Sequence, residues 1–348
     1  MKTRVCRLYG QNDLRIETDE TTDPGAGEVQ LAIAAGGICG SDMHYLSEGG
    51  IGTIRVREPI ILGHEASGRV VATGAGVVGL SAGDKVAINP SRPCGACDYC
   101  AEGLPMHCLN MRFNGSAIRL PHEQGLFRDR INVQASQCIK LPAAADVGAV
   151  ACAEPLAVCL HAAHMAGEIA GKRVLVTGAG PIGLLCAAIA ADAGASEVVV
   201  TDLHDAVLDV ALTMGATRVI NVARDGAEMD RYADNKGYFD IAFECSAAAP
   251  AIRSAIAALR PRGVLVQVGV VGDTPMPINA MVAKELRVQG THRFHEEFAA
   301  AVEAISSGRI DVRPIITERF ALEDAAEAFR VAGDRTRSVK VHLTFEGT

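Results

Sequence analysis

Four cysteines stand in one loop, Cys94, Cys97, Cys100 and Cys108, in the pattern C-x2-C-x2-C-x7-C. Thiolates this closely spaced on a glycine- and proline-bearing loop can surround one Zn2+ tetrahedrally, and closed four-sulfur sites of this kind are structural. A disulfide pair or an iron–sulfur cluster uses similar spacings, and zinc is the preferred reading. A second set is dispersed: Cys39 in GGICGSDMHY, His64 and Glu65 in GHE, and Glu154 in AEPLAV. Taken singly, a cysteine after an apolar run is core and GHE is a turn. Glu154 is harder to set aside, because a carboxylate inside an apolar segment is costly without a partner cation. Taken together, sulfur, nitrogen and oxygen ligands on separate segments that leave one coordination position open form the pattern of a catalytic zinc.

A third group of residues binds rather than reacts. The stretch VLVTGAGPIGLLCAAIAADAGASEVVVTD runs from Val174 to Asp202. It reads as a buried strand, a glycine turn (Gly178, Gly180, Gly183, with Pro181 and Ile182 inside it), an alanine-rich helix and a second strand that ends in an acid. That is the dinucleotide-binding βαβ fingerprint in its full context. Gly178 permits the tight turn, Gly180 the approach of backbone to a pyrophosphate, and Gly183 close helix–strand packing. The pyrophosphate then lies on the helix N-terminus. Asp202 is placed to accept hydrogen bonds from a ribose and to repel a 2′-phosphate, which favours NAD over NADP. His204 is close enough to leave NADP possible.

The elements that position these groups alternate in character. Up to about residue 145 the chain reads as mostly β, with apolar runs at 29–33, 69–72 and 85–88 between glycine and proline turns, a pattern for a barrel-like antiparallel domain. Residues 146–167 turn helical, with a break expected at Pro155. Strands at 174–176, 198–200, 218–221, 240–244, 264–268 and 286–289 then alternate with helices at 205–214 and 250–259, which predicts a doubly wound parallel sheet. A helix over 296–306 and a strand-bearing tail over 338–344 follow, the tail returning to the first domain.

At 348 residues the chain has room for about two domains. Its net charge of −8 argues against a nucleic-acid or anionic-membrane surface. Eleven cysteines without a recognisable export signal or membrane-length apolar run point to reduced thiols in a cytoplasm.

With GGICGSD, GHEASG, the four-cysteine loop, AEPLAV, GAGPIG and Asp202 in this order, the sequence resembles the zinc-containing medium-chain alcohol and polyol dehydrogenases along its whole length. It is most similar to the polyol branch, in which glutamate replaces a cysteine as third zinc ligand. INPSRPCGACDYC, MRFNGSA, SQCIKLP, AEPLAVCLHAAHMAGE and RFHEEF carry a likeness to members that act on a sugar acid. The resemblance implies an α/β fold: a GroES-like β-rich catalytic domain over 1–150 and 291–348 and an NAD-binding Rossmann domain over 151–290, usually in a homotetramer. It implies two zincs per chain, one structural and one catalytic, the latter held by Cys39 and His64 with Glu65 or Glu154. Ser41 and His44 match the family's proton-relay positions, and Tyr45 a place that lines the substrate pocket or simply packs. Val268, Gly269, Val270 and Thr291–Arg293 are expected at the nicotinamide end by analogy.

The expected reaction is oxidation of a secondary alcohol, with zinc as Lewis acid and hydride passing to the nicotinamide. A sugar acid, L-idonate giving 5-dehydro-D-gluconate, is the first substrate expectation, and a neutral polyol such as sorbitol or xylitol the alternative. A carboxylate on the substrate calls for an arginine fork. Arg293 is the first candidate, Arg112 the second, and Arg119 reads as a surface residue. A non-catalytic zinc and nucleotide binder is the reading from a different class. It is opposed by the intact set Cys39, His64, Glu65, Glu154 and Ser41. A nucleic-acid binder built on the zinc loop is weaker still, for want of a basic helix beside it.

Overall fold

The computed structural model describes residues 2–270 and 272–345. Met1 and 346–348, the outer ends of the expected first domain, lie outside the described residues, as does Val271. Six strands form an all-parallel sheet in the spatial order Arg218–Asn221, Glu197–Asp202, Arg173–Thr177, Phe239–Glu244, Leu259–Gln267, Arg287–Gly290. Helices cover both faces of such a sheet, so its central strands are apolar on both sides. Val174, Leu175 and Val176 are accordingly all fully buried. The strand order reverses between Arg173–Thr177 and Phe239–Glu244. In sheets of this type the crevice at the carboxyl ends of the two strands flanking that point takes the ligand.

A second sheet runs Cys138–Lys140, Lys85–Ile88, Glu65–Thr73, Glu28–Gly37, Lys340–Thr344, Ile316–Ala321, with Arg130–Gln134 also on Glu28–Gly37. It is antiparallel except for its last pair, Ile316–Ala321 with Lys340–Thr344, which is parallel. A parallel pair needs a crossover, and the helix Ala325–Ala332 supplies it. The strand Lys340–Thr344 therefore seats the end of the chain beside residues 35–37, near the first zinc-ligand candidate.

One sequence expectation differs from the structure. The helical break falls at residues 151–152, and Pro155 lies inside the first turn of the helix Ala153–Ala166. A proline is tolerated there because a first-turn N–H has no intrahelical partner to lose. Phe294, Phe298, Ala301 and Val302 share one apolar cluster with Val174, Leu184 and the helix Ala153–Ala166, and the chain re-enters the other sheet at Ile316–Ala321.

Candidate active site

The glycine turn is tight for identifiable reasons. Gly178 has φ +89°, and a Cβ on Gly183 would stand 1.8 Å from the Gly178 carbonyl oxygen. The helix Pro181–Asp192 starts there with Pro181 in its first turn, next to Ile182. Asp202 ties the turn to its strand: Oδ2 accepts the Ala179 amide at 2.7 Å, and Oδ1 accepts the Leu203 and His204 amides at 2.7 and 3.1 Å. A Cβ on Gly180 would meet the Arg335 guanidinium at 2.3 Å. Arg335 makes no hydrogen bond or ion pair among the described residues, and Asp202 is the carboxylate that acts on it electrostatically. A free guanidinium over the N-terminus of this helix suits a pyrophosphate. No sequence signal marked it, because it stands over 150 positions from the turn.

Across the cleft, Cys39, His64 and Glu65 bring one ligand atom each to within 4.8 Å of one another. Cys39 is the N-cap of the helix Gly40–Glu48, and its amide donates to Asp42 Oδ2 at 3.0 Å. Asp42, fully buried, also accepts the Gly63 amide and stands 3.8 Å from His64 Nδ1. At that separation Asp42 is a counter-charge beside Nδ1, and Nε2 is the other ring nitrogen a metal could take. Burial lowers the His64 pKa, but Asp42 and Cys39 outweigh it and raise it well above the ordinary value. Glu65 fits against bare backbone, since a Cβ on Gly37 would stand 2.2 Å from its Oε2. Its two oxygens are 2.8 Å from Lys340 Nζ. Glu154 lies outside this ligand triad but within its field. Burial pushes its carboxyl up to about 7, while His64 pulls the other way.

The remaining expected residues divide. Ser41 is half-buried on the first turn of the Gly40–Glu48 helix, and His44 is exposed one turn later with Nδ1 2.8 Å from Glu48 Oε1. Tyr45 packs in the core, its hydroxyl accepting the Ala117 amide at 3.2 Å. Arg293, at φ +56°, lays its guanidinium 4.5 Å from the centroid of Phe113, whose ring is 5.6 Å from that of His64. It makes no hydrogen bond or ion pair among the described residues, and Glu154 acts on it electrostatically. Arg112 is a correction. Side chains alternate along a strand, so in Arg112–Phe113 the ring faces His64 while Arg112 turns outward to Glu123 at 2.7 Å. Arg119 is committed to loop carbonyls, Met111 at 2.7 Å and Leu109 at 2.8 Å.

One cleft of about 330 Å³ joins the two halves, lined by Cys39, His44 and Glu65 on one side and Gly180–Gly183 with Arg335 on the other. Among the residues expected at the nicotinamide end, Gly269 donates its amide to the Glu244 carbonyl at 2.8 Å and Val268 does so at 2.9 Å, and Val270 is exposed. Thr291 Oγ1 is buried without a hydrogen-bond partner among the described residues. A buried hydroxyl without a partner is the kind of atom a bound cofactor would satisfy.

The cysteine loop fits a metal closely. Cys97 Sγ lies 3.6 Å from Cys100 Sγ and 3.8 Å from Cys108 Sγ. A tetrahedron with the usual zinc–sulfur length has edges of about 3.8 Å. The Cys94 and Asn110 amides point at Cys108 Sγ, and the Ala96 amide helps hold the Cys94 thiol down at about 6, which favours thiolate.

A dinucleotide turn and a cysteine–histidine–carboxylate centre on opposite walls of one cleft, with a four-thiol loop alongside, define a class. Residues 25–143 match the alcohol dehydrogenase GroES-like domain and residues 181–307 the zinc-binding dehydrogenase family. The chain belongs to the zinc-containing medium-chain alcohol and polyol dehydrogenases, and it is a zinc-dependent, NAD(P)-linked enzyme acting on the CH–OH group of its donor. It is 40% identical over 346 residues, 99% of each chain, to the L-idonate 5-dehydrogenase (NAD(P)(+)) of Escherichia coli strain K12. It is 37% identical over 349 residues to the sorbitol dehydrogenase of Gallus gallus, covering 98% of this chain and 96% of that one. The crystal structure of the E. coli L-idonate 5-dehydrogenase superposes with TM-score 0.93 over 99% of both chains. Among the described residues no helix is long and apolar enough to cross a membrane.

Proposed function

We propose that this enzyme oxidises a secondary alcohol of a sugar acid, with L-idonate to 5-dehydro-D-gluconate as the first substrate and NAD as the preferred acceptor. The observation that carries the reading is Arg293, a guanidinium without an ion-pair partner among the described residues, held over Phe113 beside His64 and Glu154. A planar fork in that position pairs a carboxylate bidentately. The 40% identity to an L-idonate 5-dehydrogenase supports the same substrate, and that relative's NAD(P)(+) designation leaves NADP as a second acceptor.

Cys39, His64 and Glu65 would hold the catalytic zinc, with Glu154 facing it, and Cys94, Cys97, Cys100 and Cys108 the structural one. When bound, zinc supplies Lewis-acid polarisation of the alcohol oxygen, and the nicotinamide supplies the hydride acceptor. Ser41 takes the proton of the substrate hydroxyl, and His44, exposed at the cleft mouth, hands it to solvent. Asp42 is the counter-charge beside His64, and Asp202 receives the ribose. Arg293 anchors the far end of the substrate so that the reacting carbon meets the nicotinamide. The family resemblance further supports a homotetramer.

The test is NADH formation by purified, zinc-loaded protein on L-idonate, D-gluconate, sorbitol, xylitol and ethanol, each with NAD and NADP. A rate on L-idonate well above that on the neutral polyols supports the reading. Turnover of sorbitol or xylitol without the acid moves the enzyme to the neutral-polyol branch, which the 37% identity to a sorbitol dehydrogenase keeps as the second reading.

A further inference from the structure

Away from both zinc constellations, His161, His164 and Glu297 bring one ligand atom each to within 4.8 Å of one another. The two histidines are three positions apart in the helix Ala153–Ala166, which sets both imidazoles on one face. Glu297 opens the helix Glu297–Ser306 packed against it. Both Nδ1 atoms lie 2.9 Å from the same oxygen, Glu297 Oε1. The other oxygen, Oε2, accepts the His295 amide at 2.8 Å, and this holds the carboxylate so that Oε1 faces both rings. The Glu297 and His161 side chains are 8% and 13% exposed, while His164 is 67% exposed and opens the group to solvent. Among the described residues no lysine or arginine pairs with this carboxylate.

We propose that His161, His164 and Glu297 form a third metal site, for a divalent transition ion such as Zn2+, Co2+ or Ni2+. Two imidazoles and one carboxylate with the remaining positions open suit these ions. A tetrahedral ion at ordinary zinc–nitrogen and zinc–oxygen lengths separates its ligand atoms by about 3.3 Å, so each 2.9 Å contact opens by only a few tenths of an ångström. The mobile partner in that adjustment is the exposed His164. The His295 amide on Oε2 is the outer hydrogen bond that ligating carboxylates commonly receive. The segment from Arg293 to Glu297 runs from the Phe113 ring beside His64 to this site. A bound ion therefore fastens the arginine-bearing segment to the helix that carries Glu154.

The experiment is equilibrium dialysis of untagged, zinc-loaded enzyme against buffered free Zn2+, with metal per chain read by mass spectrometry. The variants His164→Gln and Glu297→Gln are run beside the wild type. His164→Gln lies at an exposed position, so its fold does not depend on the site. The expected result is one further equivalent in the wild type, bound at least roughly tenfold more weakly in each variant. Uptake that is the same in wild type and His164→Gln, or no further equivalent in the wild type, overturns the proposal. Because the reading is the increment above the starting content, it stands apart from the substrate the enzyme takes.

Discussion

Lys340 Nζ lies 2.8 Å from each carboxylate oxygen of Glu65 and 3.0 Å from the Ile38 carbonyl oxygen. The two side chains are 3% and 1% exposed, so the pair is fully withdrawn from water. It stands at the candidate metal centre: Glu65 shares the ligand triad with Cys39 and His64, and Lys340 is its counter-charge.

Removing that ammonium leaves a buried carboxylate without compensation. Lys340→Met is expected to destabilise the metal-free protein by about 3–5 kcal/mol in urea unfolding. Zinc loading should restore part of the loss, because the ion then replaces the missing positive charge. An apo variant as stable as the wild type would show that the pair is not a net counter-charge.

Arg293→Gln should separate the two substrate classes. A charge-assisted contact contributes about 1.5–3 kcal/mol, so kcat/KM on L-idonate is expected to fall roughly 10- to 150-fold with much smaller loss on sorbitol. Equal loss on both substrates would assign Arg293 to general positioning and remove the argument for a sugar acid.

Arg335→Ala should act on the cofactor alone. With its guanidinium against Gly180, the variant is expected to bind NADH roughly tenfold more weakly in a fluorescence titration, with zinc content unchanged. The difference should shrink as salt rises, since the contact is charge on charge. Wild-type affinity in the variant would place the pyrophosphate elsewhere.

His342 gives a pH dependence. It is buried, Nε2 lies 3.6 Å from Cys152 Sγ, and Nδ1 has no partner among the described residues. Burial, reinforced by Lys340 and Arg319, lowers its pKa to about 3. The unfolded imidazole takes a proton below its ordinary value of about 6.5 while the folded one does not, so stability falls as pH drops through that window and is unaffected above it. His342→Gln should lose less stability than the wild type on going from about pH 7.5 to about pH 5, by about 2 kcal/mol. Parallel pH slopes for the two proteins would mean that His342 is solvated.

Contiguity decided how much was legible beforehand. The glycine turn and the cysteine loop each concentrate their residues in one short segment, so residue type and spacing carried the chemistry. The parallel strands were readable because burial on both faces makes them apolar runs. Lys340 and Arg335 were not, because their partners, Glu65 and Gly180, are brought to them by the topology of two sheets. Asp42 was within reach, three positions past Cys39, but its role shows only once the Cys39 and Gly63 amides and His64 surround it. Arg112 misled for a local reason: a side chain one position from the right one faces the opposite way.

The strand Lys340–Thr344 sits between strands built from residues 28–37 and 316–321. During synthesis, then, the candidate metal centre waits for residues made long after its ligands. Cys39, His64 and Glu65 emerge early, yet the lysine that balances Glu65 and the strand that flanks residues 35–37 leave the ribosome some 275 positions later. Until then the nascent polypeptide exposes an unpaired sheet edge and an uncompensated carboxylate, a stage at which a chaperone or an early metal ion has the most to shield.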